Sequence, residues 1–274
     1  MKKFLLVLVA VTAIACHQQQ PVAVVPPVVP APAATDPQRM LSQQNVDATI
    51  YQNASAEGAR LVEQCYELAK MRLDANLARP HELPAAVIVD VDETVLDNSP
   101  SNVTDIVQSR TWNKESWNEW VLRCSAKALP GALEFLRYAV AQQCEVYYIT
   151  NRATNEKNAT IKNLFELGFP MADEAHVMTM ENGVSDKTDR RALVAKKHYV
   201  ALLCGDQLTD FDQRFKDRST ELGLPTVKAL HDTLSRYFVL LPNPIYGTWL
   251  DAAAGLVDSL KLDRKAAFLQ QRAY

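Results

Sequence analysis

No charge of one sign dominates this chain of 274 residues: 29 Lys and Arg stand against 32 Asp and Glu, a formal net charge of -3. A general field for nucleic acid is therefore absent, and an anionic ligand has to be won locally, by a metal ion and a few cations. Cysteine is scarce as well. Besides Cys16 there are Cys65, Cys124, Cys144 and Cys204, with no CxxC pair among them, so the common thiolate metal pattern is excluded. Cys144 and Cys204 stand beside expected strands and read as small buried hydrophobes, and spacing alone does not fix any disulfide pairing. A membrane-spanning run is missing too, because the apolar stretch Phe4 to Ile14 is too short and no second one follows. With 48% hydrophobic and 22% charged residues, the remainder is ordinary globular material, enough for one large α/β domain or two small ones.

The N-terminus reads as an address rather than as fold. Lys2 and Lys3 precede the apolar run, and small residues lead to Cys16, the pattern of an export signal over 1–15. Ala13-Ile14-Ala15-Cys16 resembles a lipobox with Ala13 in place of the usual Leu, which implies that Cys16 becomes the lipidated first residue of the mature protein. An ordinary secretory signal cut nearby is the alternative. His17 in the next position is similar to the pattern that sorts lipoproteins to the outer membrane. Residues 16–37 carry PVAVVPPVVPAPAATDP, which cannot form a helix and reads as a semi-rigid polyproline tether holding a domain, 38–274, off the bilayer. A lipid anchor in the cell envelope is the expected location.

Within 38–274, hydrophobic strands alternate with helical patterns. Two helices are expected over Gln38 to Ala78, ended by Pro80 and Pro84. The run Val87-Ile88-Val89 then reads as a strand buried on both faces, and it stops in acid, at Asp90 and Asp92. Alternation sends both carboxylates off the strand end in one general direction, with Thr94 following if the chain stays extended. In open α/β sheets that end faces the ligand crevice. Two like charges held so close ask for a cation, or for one acid and one base. A solvated acidic turn capping the next helix is the plainer alternative.

Further polar groups recur at later strand ends. Glu145 to Ile149 runs into Thr150-Asn151-Arg152, a hydroxyl and an amide suited to binding an oxyanion. His176 to Met180 leads toward Lys187, with Arg190 and Arg191 as alternative cations. Tyr199 to Cys204 is followed by Gly205, which permits a tight turn, then by Asp206 and by Asp210 one helical turn on. Arg236 to Leu241 is a fifth strand, and the following turn carries Tyr246, a candidate for stacking on an aromatic leaving group or for packing on the domain. Between the first two strands, Pro100 to Ala128 is rich in Trp and charge and is placed to lie over the crevice. Trp117 and Trp120 there suit a helix-packing face first and a wall for the substrate second. The remaining helices are expected over Ala132 to Gln142, Asn155 to Leu167 and Leu250 to Leu269, the last with no motif in it.

The string DVDETVLDN resembles the first motif of the haloacid dehalogenase (HAD) superfamily, and its continuation is similar to the class C acid phosphatases of the lipoprotein e family. T-N-R, K-x-x-R-R, GDxxxD and L-P-N-x-x-Y-G-x-W resemble later stretches of that family, in register over roughly residues 40 to 274. The resemblance implies an α/β fold: a HAD-like, Rossmann-like parallel sheet with helices on both faces and a small helical cap near 38–80 and 100–128. It also implies hydrolysis of phosphomonoesters such as nucleoside monophosphates or aryl phosphates. Asp90 would be the nucleophile, Asp92 the acid and base, and Thr150 and Lys187 the phosphoryl-binding groups. One Mg²⁺ per chain would be held by Asp90, Asp206, the Asp92 carbonyl and, through water, Asp210. Asn151, Arg152, Tyr246 and Trp117 are candidates for substrate contact. Transfer to an acceptor other than water, or a non-catalytic surface lipoprotein, are the other readings. The expected partners are a small phosphomonoester and a membrane, with no nucleic acid polymer and with oligomerisation left open. Gln207 and Ser101 depart from the residues more usual in the family, which leaves the fine substrate preference open.

Overall fold

The computed structural model describes residues 36–273. The export signal, Cys16 and the tether up to residue 35 lie outside the described residues. The tether's last two residues belong instead to a helix start: the Asp36 carboxylate accepts the Gln38 N–H at 3.0 Å, and Pro37 opens α1 (Pro37–Gln43), where its missing N–H costs nothing. Helices α2 (Val46–Ala54) and α3 (Ala56–Leu77) follow, three helices where two were expected. The extra break comes at Ser55, whose extended backbone ends α2 and whose hydroxyl caps α3 through the Gly58 N–H. The expected cap segment 38–80 also divides. Parts of α1 and α2 line the cleft described below, whereas α3 buries Val62, Tyr66, Ala69 and Leu73 in the main core.

Strand β1 (Ala85–Val89) is buried at every position, as a strand with neighbours on both edges and helices on both faces must be. The chain then turns back sharply. Glu93 takes a left-handed φ of 53°, Glu93 N–H bonds the Leu96 carbonyl, and β2 (Leu96–Asp97) pairs antiparallel with β3 (Lys127–Ala128). Thr94 is therefore not extended toward the crevice but fully buried, its hydroxyl without a partner. Between β2 and β3 lie α4 (Ser99–Val107) and α5 (Lys114–Leu122). Next come α6 (Ala132–Ala141), β4 (Glu145–Ala153), α7 (Lys157–Glu166), β5 (Val177–Met180), α8 (Thr188–Ala195) and β6 (Tyr199–Gly205). The chain finishes with α9 (Leu224–Ala229), α10 (His231–Tyr237), β7 (Phe238–Leu240), α11 (Thr248–Ala254) and α12 (Asp258–Gln270). The single C-terminal helix expected over Leu250 to Leu269 is split at Gly255, whose φ of 72° no helix accommodates.

The five main strands pair in the order β5-β4-β1-β6-β7, every pair parallel. With β1 in the middle, its carboxyl end is flanked by those of β4 and β6, which is how polar groups distant in sequence reach one crevice. The two faces are packed by separate apolar layers, one around Leu73, Val87, Leu136 and Tyr148, the other around Ile88, Ile149, Val194 and Phe211.

Candidate active site

Asp90 follows directly on β1, and its backbone N–H still bonds to Cys204 on β6. Its carboxylate is buried and bonded by the Lys187 ammonium, which also donates to Asp210 at 2.7 Å. Lys187 is the residue just before α8, so the helix fixes where its long side chain starts. Burial works against its charge, but Asp210 and Asp90 outweigh that and hold it up at about 12. The carboxylates are pushed the other way. Burial lifts Asp90 well above the usual carboxylate range, opposed by Lys187 and reinforced by Asp210, Asp206 and Asp92. Burial, then Asp210, raises Asp206 to about 7, against the bonds it accepts from Asn243 and Gln207, each at 2.8 Å, and the charge on Lys187.

Gly205 is the last residue of β6, directly before this acid. It serves a close approach rather than the expected tight turn, because its φ is not left-handed and a Cβ there would lie 2.6 Å from an Asp210 carboxylate oxygen. Asp210 itself stands in a short 3₁₀ turn, and its second oxygen accepts the Gln207 N–H at 2.9 Å.

Asp92 enters the same cleft with separate partners. Its Oδ1 accepts from Asn98 Nδ2 at 2.9 Å, Arg152 Nη2 at 2.8 Å and Arg152 Nε at 2.9 Å, while its Oδ2 takes only the Thr150 hydroxyl, at 3.3 Å. Strand β4 does not end at Ile149 as expected but continues through Ala153. The period of two therefore puts Thr150 and Arg152 on one buried side and Asn151 on the exposed side. Asn151 accepts from Arg190, which also donates to the Thr150 carbonyl. Arg152 is 2% exposed, its guanidinium taken up by Asp92, Asn98 and Thr160.

Trp117 lines the cleft with its ring 5.7 Å from the Arg152 guanidinium. Trp120 packs on the core instead and donates its indole N–H to Asn98. Tyr246 also lines the cleft, but its hydroxyl is tied to the buried Glu93 carboxyl, which burial, then Asp92 and Asp206, push well above its ordinary range.

Asn98, Glu93 and Asn243 had no role in the sequence reading, although the first two stand inside DVDETVLDN and the third in the turn before Tyr246. Asn98 is fully buried and bonds Asp92, Arg152 and Trp120 at once. The only sequence signal for it was its place in that motif. Helices α11 and α12, read as featureless, also contribute to the cleft wall.

Oxygens of Asp90, Asp206 and Asp210 lie within 4.8 Å of one another, all three residues buried. Three carboxylates share one ammonium there, so the cluster carries excess negative charge in a low dielectric, and its all-oxygen donors suit a hard divalent cation. The set thus fits Mg²⁺. The Asp92 carboxylate is outside this group, being committed to Arg152, Asn98 and Thr150.

A parallel sheet with acid at the end of its central strand, and hydroxyl, ammonium and acid converging on it from neighbouring elements, defines a HAD-like α/β protein. The family described as HAD superfamily, subfamily IIIB (Acid phosphatase) matches residues 8–249, and the chain belongs to it. The structure is similar to that of the class C acid phosphatase from Bacillus anthracis, with a TM-score of 0.78 and 32% identity over 83% of this chain and 97% of that one. It is equally similar to a class C acid phosphatase from Bacillus anthracis with tungstate bound, with a TM-score of 0.78, 30% identity, and coverage of 86% and 98%. Acid phosphatase 1 of Solanum lycopersicum is 24% identical over 166 residues, 58% of this chain. A stem 31 kDa glycoprotein of Glycine max is 25% identical over 167 residues. The match spans 57% of each of those two plant proteins.

Proposed function

We propose that the protein is a Mg²⁺-dependent acid phosphatase that hydrolyses phosphomonoesters through an aspartyl-phosphate on Asp90. The observation that carries this is the convergence of Asp90, Asp206 and Asp210 around Lys187 at the end of the central strand. The tungstate held by the Bacillus anthracis relative is a tetrahedral oxyanion, like phosphate, and supports the same reading.

The Asp90 carboxylate attacks phosphorus while Lys187 neutralises nucleophile and phosphoryl oxygens together. Asp90, Asp206, the Asp92 main-chain carbonyl and, through water, Asp210 would hold a Mg²⁺, which would supply the charge that lets two anions meet. Oδ1 of Asp92 is filled by Arg152 and Asn98, so Oδ2 is the oxygen free to exchange a proton. Asp92 gives that proton to the leaving oxygen, then takes one from the water that splits the acyl phosphate. Thr150 donates to the phosphoryl group or to Oδ2. Nucleoside monophosphates and aryl phosphates suit a cleft walled by Trp117 and Tyr246.

A phosphomonoester panel assayed with and without a chelator tests the reading. Asp90→Asn should lower phosphate release by on the order of a thousandfold or more; substantial retained turnover excludes Asp90 as nucleophile. The export pattern over 1–15 and the cysteine at Cys16 support a reading of the enzyme as a lipid-anchored protein of the cell envelope, in the outer membrane. Cys16→Ser should abolish incorporation of labelled palmitate and release the protein from membranes, and continued labelling refutes the anchor.

A further inference from the structure

The cleft encloses about 590 Å³, well beyond what one phosphoryl group fills and within the range that holds a whole small molecule. Its cations are unequally engaged. At the strand ends, Lys187 and Arg152 are bonded to Asp90, Asp210 and Asp92. On the wall contributed by α4, α11 and α12, Arg110 is paired with Asp105 at 2.7 Å and Lys261 with Asp258 at 2.8 Å. Lys265 differs. It stands one helical turn from Lys261 on the same face of α12, half-buried, and among the described residues its ammonium reaches only the amide oxygen of Gln44, at 3.0 Å. Asp251 lines the same wall but lies beyond ion-pair distance of both lysines, and Lys216, exposed, adds another cation. Burial, and then Lys261, weaken the hold of Lys265 on its proton. A partly desolvated ammonium with no counter-ion is stabilised by any anion delivered to it.

We infer that Lys265, with Lys261 beside it, forms a subsite for a second negative charge carried by the leaving group. The preferred substrate is then a phosphomonoester whose alcohol bears a further carboxylate or phosphate. This rests on the phosphatase reading and adds the class of leaving group.

The test uses the full chain with Mg²⁺ and a series of phosphorylated hydroxyalkyl compounds of increasing chain length. Each ends in a carboxylate, in a non-hydrolysable phosphonate, or in a neutral amide. At the chain length that spans the cleft, one of the anions should exceed the amide in kcat/KM by about tenfold, the scale of one charge-assisted hydrogen bond partly open to water. Whether carboxylate or phosphonate leads identifies the natural group. Lys265→Gln should bring the ratio of anion to amide close to one, each variant being referred to its own amide. Turnover with no preference for either anion at any length, or a preference that survives Lys265→Gln, overturns the subsite and leaves the phosphatase reading standing. No turnover of any member refutes both.

Discussion

Stripping divalent ions from the protein should make it less stable as the pH is raised, the reverse of the behaviour of ordinary paired carboxylates. Asp206 is the measurable source. Burial first, then Asp210, raise its carboxyl from 3.8 to about 7, so the native state holds this proton more tightly than the unfolded chain does. Below the unfolded value both states are protonated and nothing is lost. Between 3.8 and about 7 the unfolded chain releases the proton while the native state keeps it, and stability falls through that window; above it the loss is complete. A shift of roughly three units at about 1.36 kcal/mol each gives about 4 kcal/mol, an upper bound because water reaches the cleft. At roughly 2–4 °C per kcal/mol for a domain of this size, the melting temperature falls by about 8–16 °C. Asp90 and Glu93, each raised chiefly by burial, act in the same direction, whereas Lys187 keeps its charge up to about 12 and titrates outside the window. On the proposed function, added Mg²⁺ should cancel the decline, because it would bind the ionised carboxylates of the native state alone. Thermal unfolding across this pH range, with chelator and with Mg²⁺, makes the comparison. Two parallel curves would refute the claim that excess negative charge at Asp90, Asp206 and Asp210 is what the cation relieves.

Two substitutions probe the supports of the site. Asn98→Ala removes a bond to the Asp92 carboxylate and leaves the Trp120 indole N–H without an acceptor, a cost of about 3 kcal/mol; chemical denaturation should show it, and kcat should fall by roughly tenfold or more as Asp92 loses its orientation. An unchanged kcat would separate Asn98 from the chemistry. Tyr246→Phe strips the Glu93 carboxyl of its hydroxyl donor, leaving the Asn98 N–H at 3.1 Å, and should cost about 1–3 kcal/mol with a raised KM as the loop over the cleft loosens; a melting temperature and KM equal to wild type would show that the tie carries no weight.

The parallel strands were legible because a strand buried on both faces must be an unbroken apolar run, as in Ala85–Val89 and Tyr199–Gly205, and because carboxylates at such ends have no apolar explanation. Asp90, Asp206, Asp210 and Lys187 could thus be singled out from spacing and motif, and the structure brings them together. What stayed hidden is pairing across long sequence separations. Nothing local announces that Arg152 will be sealed against Asp92, 60 residues away, or that Tyr246 will reach Glu93 across 153. Thr94 was misplaced because the left-handed turn at Glu93 breaks the alternation on which its reading depended. Lys261 and Lys265 lie in a helix that carries no motif, and the packing of α12 on α11 and α1 makes them part of a wall.

Position 205 marks a place where the protein is shaped by leaving something out. The volume that a single methyl would fill is taken by the Asp210 side chain, which reaches Lys187 and, through it, Asp90. The smallest possible enlargement of the backbone at the tip of β6 would thus be transmitted through Asp210 and Lys187 to the Asp90 carboxylate, although residue 205 has no side chain of its own to offer a ligand.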